Sequence, residues 1–267
     1  MREAAWHSPR LIRASIALHA LAILAVIVVP AWWPWALAAC VADHWVIVAA
    51  GLWPRSQWLG PNWTRLPAKS RERNEIAITI DDGPDPEVTP RVLDVLDRYS
   101  ARATFFCIAN RAARHPDLCR EIVRRGHSVE NHSQRHAHDF SLLGPRRLLQ
   151  EVQQAQKTLA MVSWQRPQFF RAPAGLRNLF LEPVLARLGL RLTTWSVRGF
   201  DTRERDPERV RRRLLSGLRA GAIVLLHDGH AARTDQGVPV VLEVLPAVLE
   251  SAANAGLRAV TLREALA

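Results

Sequence analysis

Cysteine is scarce in this chain and forms no pattern. Cys40, Cys107 and Cys119 are the three in 267 residues, an odd number with no CxxC pair. That argues against a disulfide framework, and all three read as small buried apolar residues, easier to reconcile with a reducing compartment. There is no internal repeat and no low-complexity tract. Lysine is nearly absent too: Lys+Arg is 36 against 25 Asp+Glu, a formal net charge of +11, and almost all of the positive charge is arginine. Neither a nucleic-acid motif nor aromatic interleaving accompanies that charge, so no nucleic-acid partner is expected. An anionic membrane surface, an acidic substrate or a simply solvated basic surface remains.

What is present is apolar and unevenly placed. Hydrophobic residues make up 48% of the chain, which excludes a disordered composition. The length suits one membrane segment plus one domain of about 200 residues. Eight of the ten tryptophans lie between Trp6 and Trp63. Residues 12–29 are almost wholly apolar and, as a helix, span about 27 Å, close to the hydrocarbon thickness. Pro30 ends that run. A second runs over 35–53, with Asp43 and His44 inside it and tryptophans at both ends, as an interfacial belt requires.

A two-helix hairpin is the economical reading. Asp43 and His44 are then expected to face the partner helix, with His19 as a neighbour, or to snorkel, and to serve as polar packing. Arg2, Arg10 and Arg13 precede the first helix, and Arg55, Arg65, Lys69, Arg71 and Arg73 follow the second. Residues 30–34 carry no basic side chain. The positive-inside rule then places both ends on the cytoplasmic face of a bacterial-type inner membrane. A single signal anchor, a secretory signal, or lipoprotein processing at Leu37-Ala38-Ala39-Cys40 are the rival readings. Residues 54–74 read as a linker, broken by Pro54, Gly60, Pro61 and Pro67. The expected division is 1–66 for anchor and linker and 67–267 for the catalytic domain.

From Glu75 onward short apolar runs alternate with helical patterns. Strands are expected at 76–80, 103–108, 128–130, 168–170, 191–196, 222–226 and 257–261. Helices are expected at 88–99, 116–125, 144–162, 182–188, 207–219 and 238–255. This alternation means parallel strands with crossover helices, an α/β class, and about seven strands in about 190 residues favour a barrel over an open sheet.

Polar residues gather where these strands end. The first runs into Asp81-Asp82-Gly83-Pro84. His132 and His136 are spaced i, i+4, which on a helix puts both on one face and lets them grip one metal. Arg171-Ala172-Pro173 follows another strand, Trp195-Ser196-Val197 leads to Asp201, and Leu225-Leu226 runs into His227-Asp228. Each has a bland reading when taken alone: an Asx-type turn, a surface helix, a polar rim. His115, His127 and His138 have no such partner and read as background.

Together, the Thr-Ile-Asp-Asp-Gly-Pro stretch, the His-Ser-x-x-His pair, Arg-x-Pro and Leu-Leu-His-Asp resemble the NodB-type polysaccharide deacetylases, a carbohydrate esterase family, over about residues 75–265. The resemblance implies a distorted (β/α) barrel, preceded here by the helical membrane hairpin, with its site at the strand C-termini. It implies that Asp81 is the catalytic base and Arg171 its partner. Asp82, His132 and His136 would be the metal ligands, His227 the general acid, and Asp201 the carboxylate that orients it. One Asp and two His also read independently as a metal face with open positions. Zn²⁺ is the expected cofactor, and Co²⁺, Ni²⁺ or Mn²⁺ would also fit. Pro173 and Ala174 are the expected substrate contacts, with the Ala174 N–H facing the oxyanion. The sequence departs from the family pattern at Ala174, where an aromatic is frequent, and at Arg198, where an Asp is common.

The expected activity is metal-dependent removal of an N-acetyl group from an amino sugar in a polysaccharide, oligosaccharide or lipid-linked glycan. A deformylase of a lipid-linked formamido sugar is the alternative within the class. A non-catalytic membrane scaffold that keeps the fold is the alternative outside it. Membrane lipid is the other expected partner, and no feature of the sequence selects an oligomeric state.

Overall fold

The computed structural model describes residues 7–267, so Arg2 lies outside the described residues. The chain opens with α1 (Arg10–Val28) and α2 (Trp33–Leu52), joined by a short 3-10 turn at Pro30–Trp32. Pro30 stops α1 because it has no N–H to continue the ladder. Both helices are long and apolar enough to cross a membrane. Leu21, Ile23, Leu24, Ile27 and Val28 each keep more than half of their surface exposed, an apolar face of the kind that marks a membrane or protein contact. Asp43 turns toward α1, where the Ser15 hydroxyl donates to its Oδ2 at 2.5 Å. His19 and His44 meet edge-on with ring centroids 5.2 Å apart, and His44 sits at the exposed side of the pair. Cys107 and Cys119 are buried, whereas Cys40, on α2, is half-buried.

After α3 (Ala68–Glu72), strands and helices alternate: β1 (Glu75–Asp81), α4 (Val88–Arg98), β2 (Ala103–Cys107), α5 (Ala109–Arg114), α6 (Pro116–Arg124), β3 (Ser128–Asn131) and α7 (Pro145–Ser163). Then come β4 (Phe169–Phe170), α8 (Leu181–Leu188), β5 (Arg191–Leu192), β6 (Val197–Arg198), α9 (Pro207–Ser216), β7 (Ile223–His227), α10 (Val240–Asn254) and β8 (Arg258–Ala259). Seven strands pair in the order β5-β4-β3-β2-β1-β7-β6, all parallel, and β8 pairs with the start of β1. The sheet curls into the expected distorted barrel, left open between β5 and β6.

The single strand expected over 191–196 is two, because the chain leaves β5 at Thr193 and rejoins the other edge at Val197. Residues 62–66, expected as linker, run along the open seam. Trp63 bridges to Thr193 and Arg65 to Ala222, and Leu66 N–H donates to Gly221 O at 2.9 Å. Leu66 is buried there, at 3% exposure, whereas Leu59 is buried against Ile47 and Ala50 of α2. The seam needs residues 62–66 because two β edges with unpaired backbone groups would otherwise stand open.

Strand periodicity sorts the core. Ile76, Ile78 and Ile80 of β1 pack outward with α4 and α10 residues in the largest apolar cluster. Ala77 lies inside the barrel with Phe106, Phe169 and Ile223. With a period of two, Thr79 and Asp81 also point inward. The same alternation on β7 sends Leu225 and His227 inward. The β1–β7 register sets Asp81 beside His227.

Candidate active site

A fully buried guanidinium anchors the floor of the site. Arg171 follows β4 and is 0% exposed. It donates to Asp81 Oδ1 at 2.6 Å, Thr79 Oγ1 at 2.8 Å, Thr194 O at 2.8 Å and Thr193 O at 3.3 Å. Its plane lies 4.1 Å from the Phe106 ring centroid. Burial lowers the Arg171 pKa, and Asp81 works against that shift. Such a pair is costly to desolvate and tolerable only with its donors satisfied, so it holds Asp81 in one place.

Asp82 sits one residue on, at φ 74, in the left-handed region that non-glycine residues rarely adopt. This turn swings its carboxylate into the cleft. Gly83 is required beside it, since a Cβ there would stand 2.4 Å from Asp228 Oδ1. His132 Nε2 lies 3.3 Å and His136 Nε2 3.2 Å from the same atom, Asp82 Oδ1. Among the described residues that oxygen is buried without a hydrogen-bond partner. His132 Nδ1 donates to Arg171 O at 2.8 Å, which leaves the Nε2 lone pair facing Asp82. An orphaned carboxylate oxygen between two imidazole nitrogens fits a divalent cation, and the backbone bond on Nδ1 is the support that metal-ligating histidines have.

At His136 and Asp82 the electrostatics agree with that fit. Burial pushes His136 down to about 4, helped by the nearby His132, so its lone pair is free at neutral pH. Burial also works to lower His132, but Asp81 and Asp82 together raise it. Asp82 lies far below the usual carboxylate range: burial opposes ionisation, but His132 and His230 outweigh it.

The spacing of His132 and His136 had been expected to lie on a helix, and it does not. Ser133 and His136 both have left-handed backbone, φ 66 and 56. Asn131 Oδ1 accepts from Ser133 N–H and Ser133 Oγ from His136 N–H, both at 2.9 Å. Short polar side chains have captured the backbone donors that a helix would use. The two imidazoles still converge, with centroids 4.8 Å apart.

Opposite them stands His227. Asp201, fully buried, accepts from His227 N–H at 2.8 Å and from Nδ1 at 2.9 Å. That bond fixes the tautomer and turns Nε2 to the cleft. Burial works to lower the His227 pKa, but Asp201, Asp81 and Asp82 raise it to about 9. Ala174 is exposed at the rim with φ 53, and Pro173 is buried behind it. Asp81, Asp82, His132, His136, Ala174 and His227 line one open cleft of about 800 Å³, whereas Arg171, Asp201 and Pro173 lie behind its wall.

Two residues at this site had no sequence signal. His230 Nδ1 donates to Asp82 Oδ2 at 3.0 Å, and Arg111 donates to His230 Nε2 at 2.9 Å. Arg111 also reaches Asp82 O and Gly229 O, at 3.1 and 2.8 Å. His230 follows His227 by three residues, and only that proximity could have drawn notice. His138, which the sequence pattern leaves in the background, also lines the cleft.

This constellation on a curled parallel sheet has known counterparts. Residues 68–193 match the family described as polysaccharide deacetylase. The chain is 36% identical over 184 residues to a chitooligosaccharide deacetylase of Bradyrhizobium sp. (strain ANU 289), across 65% of this chain and 84% of that one. It belongs to the polysaccharide deacetylase family. A peptidoglycan-N-acetylglucosamine deacetylase of Bacillus cereus is 34% identical over 194 residues, across 72% of this chain and 87% of that one. The chain is a hydrolase of this family, acting on non-peptide carbon–nitrogen bonds. In fold it also matches a family 4 carbohydrate esterase pseudoenzyme of Bacillus anthracis, at TM-score 0.68 and 20% identity, over 77% of this chain and 69% of that one. A pseudoenzyme among the neighbours means that the side chains, rather than the fold, must carry the chemistry.

Proposed function

We propose that this polysaccharide deacetylase removes the N-acetyl group from an amino sugar in an oligosaccharide, polysaccharide or lipid-linked glycan, and that it does so with a divalent cation. The orphaned Asp82 Oδ1 between His132 and His136 is the observation that carries the reading. Relatives named for chitooligosaccharide and for peptidoglycan N-acetylglucosamine support the substrate class.

Asp82, His132 and His136 would hold the cation, with Zn²⁺ the best match to two nitrogens and a carboxylate. A cation held there would supply Lewis acidity, polarising the amide carbonyl and lowering the pKa of water. Asp81, immobilised by Arg171, takes a proton from the attacking water as general base. The Ala174 N–H, presented on its left-handed turn over Pro173, is positioned to receive the developing oxyanion. His227, whose pKa Asp201, Asp81 and Asp82 raise against the effect of burial, gives its Nε2 proton to the leaving amine. We read α1 and α2 as the membrane anchor. The flanking Arg10, Arg13, Arg55 and Arg65 would put the catalytic domain on the cytoplasmic face.

The test is acid release by the purified full-length protein from N-acetyl and N-formyl amino sugars, with and without chelator. Acetate release that chelator abolishes and Zn²⁺ restores is the expected result. Formate without acetate would move the activity to a deformylase. No acid from any substrate, in protein shown to hold its metal, would return the scaffold reading.

A further inference from the structure

The loop that supplies Asp201 to His227 also turns two arginines toward the cleft. Arg198, Thr202 and Arg203 all line it, together with Trp195 and His227. Arg198 is half-buried and held between aromatic faces, 5.2 Å from the Trp195 centroid and 4.9 Å from that of Phe200. Its Nε is buried without a hydrogen-bond partner among the described residues. Neither Arg198 nor Arg203 has a carboxylate within ion-pair distance among those residues, although Arg209 and Arg213 of the next helix pair with Glu204. The acids of the cleft are engaged elsewhere: Asp81 by Arg171, Asp82 by His230, and Asp201 by His227. A buried guanidinium donor with nothing to bind is a standing cost that an anion at this spot would remove.

The second observation is where this loop lies. The end of α2 packs directly on the wall of the cleft. Arg177 N–H donates to Gly51 O at 3.1 Å, and Arg177 Nη2 donates to Ser56 O at 2.8 Å. A Cβ on Gly175, a cleft residue, would stand 2.9 Å from Pro54 Cβ and 2.6 Å from Trp195. Pro54, Gly175, Trp195 and Arg198 are thus consecutive neighbours, leading from the end of the apolar hairpin to the unsatisfied guanidinium. Trp53 and Trp58, each 56% exposed, flank Pro54 where an interfacial belt would sit. The anion would bind at headgroup depth.

We infer that Arg198, Thr202 and Arg203 form a phosphate subsite, and that the substrate is an N-acylated amino sugar joined through phosphate to a membrane lipid. The inference rests on the hydrolase reading above and names its substrate class. The guanidinium forks take the phosphate oxygens, Thr202 adds a hydroxyl donor, and the sugar reaches inward to His227 and Asp81.

The test compares kcat/KM for a soluble N-acetylated sugar 1-phosphate, its neutral methyl glycoside, and the same sugar phosphate on a long-chain lipid in vesicles. The full chain is used throughout. The phosphorylated sugar is expected to be preferred over the neutral one by about tenfold or more. Arg203→Gln and Arg198→Gln should each reduce that preference toward one. Thr202→Val, which disturbs no packed aromatic, should reduce it less. The lipid-linked form should exceed the soluble phosphate by about tenfold or more, since the anchor concentrates enzyme and substrate on one surface. A wild-type preference of one, or a preference that survives all three substitutions, overturns the subsite. A lipid-linked substrate no better than the soluble phosphate overturns the membrane source. Calorimetric binding of the sugar phosphate and the neutral glycoside to Asp81→Asn reads the same preference without turnover. Failure of the deacetylase reading alone would therefore leave that binding preference intact.

Discussion

Two groupings of histidine and aspartate occur in this molecule, one between the apolar helices and one at the mouth of the barrel. His19, Asp43 and His44 bring their donor atoms within 4.8 Å of one another, and so do Asp82, His132 and His136. By residue type and distance they are equivalent. They differ in what holds the remaining atoms of each side chain. In the hairpin, Asp43 Oδ2 is already taken by the Ser15 hydroxyl. The Nδ1 atoms of His19 and His44 donate to Ser15 O and Cys40 O, carbonyls four residues back on their own helices, both at 2.8 Å. At the barrel mouth, His132 is pinned by the Arg171 carbonyl across the sheet, and Asp82 by His230 and the Arg111 relay. The shared Asp82 Oδ1 is left without a partner. A set of donors becomes a site when other elements fix its geometry and one atom stays unsatisfied; otherwise it is a polar seam between two helices.

The largest expected effect separates the two groupings directly. Asp82→Ala or His132→Ala should lose the bound metal and cost on the order of 10³-fold or more in kcat/KM. His19→Ala should leave metal content unchanged when both are measured by atomic emission. Loss of metal from His19→Ala would make the two groupings equivalent after all. His227→Ala should keep its metal and lose about 10²-fold or more in turnover, and a near-normal rate would remove His227 from the acid role.

Asp201→Asn sharpens that assignment through pH. With its pKa raised to about 9, His227 stays protonated through neutrality, and the rate should fall as pH rises through that value. A bound cation lowers this limb, and removing the Asp201 charge should lower it further, toward the ordinary histidine value near 6.5. The raised pKa also adds stability that is fully present below about 6.5 and is lost as pH climbs through 9. A basic limb that does not move in Asp201→Asn would assign the titration to another group.

Much of this site was legible in the sequence, because strand ends and side-chain periodicity dictate it. The clean apolar run of β1 predicts that Asp81 stands at the strand exit, and period two makes it face inward with Thr79. The β7 run does the same for His227. What was not legible came from interactions between distant segments. The i, i+4 spacing of His132 and His136 argued for a helix, but Asn131 and Ser133 offer competing acceptors that periodicity does not register. His230 reaches Asp82 only because the chain turns back at Gly229, where a Cβ would stand 2.2 Å from Asp82 O. The seam along 62–66 was hidden because prolines and charges mark a segment as irregular but do not say what it lies against.

That seam gives the next comparison, between two places to cut the chain. Removing residues up to 53 keeps Trp63 and Leu66 on the barrel, and the domain should stay folded. Starting at residue 67 strips the buried Leu66, the Trp63 ring packed on Phe169, and the bonds from Trp63 N–H to Leu192 O and from Leu66 N–H to Gly221 O, both 2.9 Å. The cost should be about 3 kcal/mol or more, read from denaturant midpoints of the two proteins. Equal midpoints would make the strip a linker that merely rests on the barrel.

The smallest expected effect belongs to the hairpin. In Asp43→Asn the amide oxygen still accepts from Ser15, so the contact between α1 and α2 survives and only the charge is removed. An interhelical bond of this kind contributes about 0.6 kcal/mol in lipid, and replacing a carboxylate by an amide loses only part of it. The thermal midpoint in detergent should therefore shift little, and turnover of a soluble N-acetyl sugar should not change. Ser15→Ala leaves Asp43 without its donor and should cost more than Asp43→Asn, because a carboxylate facing an apolar neighbour is the more expensive orphan. If the order were reversed, with Asp43→Asn the more damaging, the charge itself would matter, and the hairpin grouping would need a cationic ligand or partner to explain it.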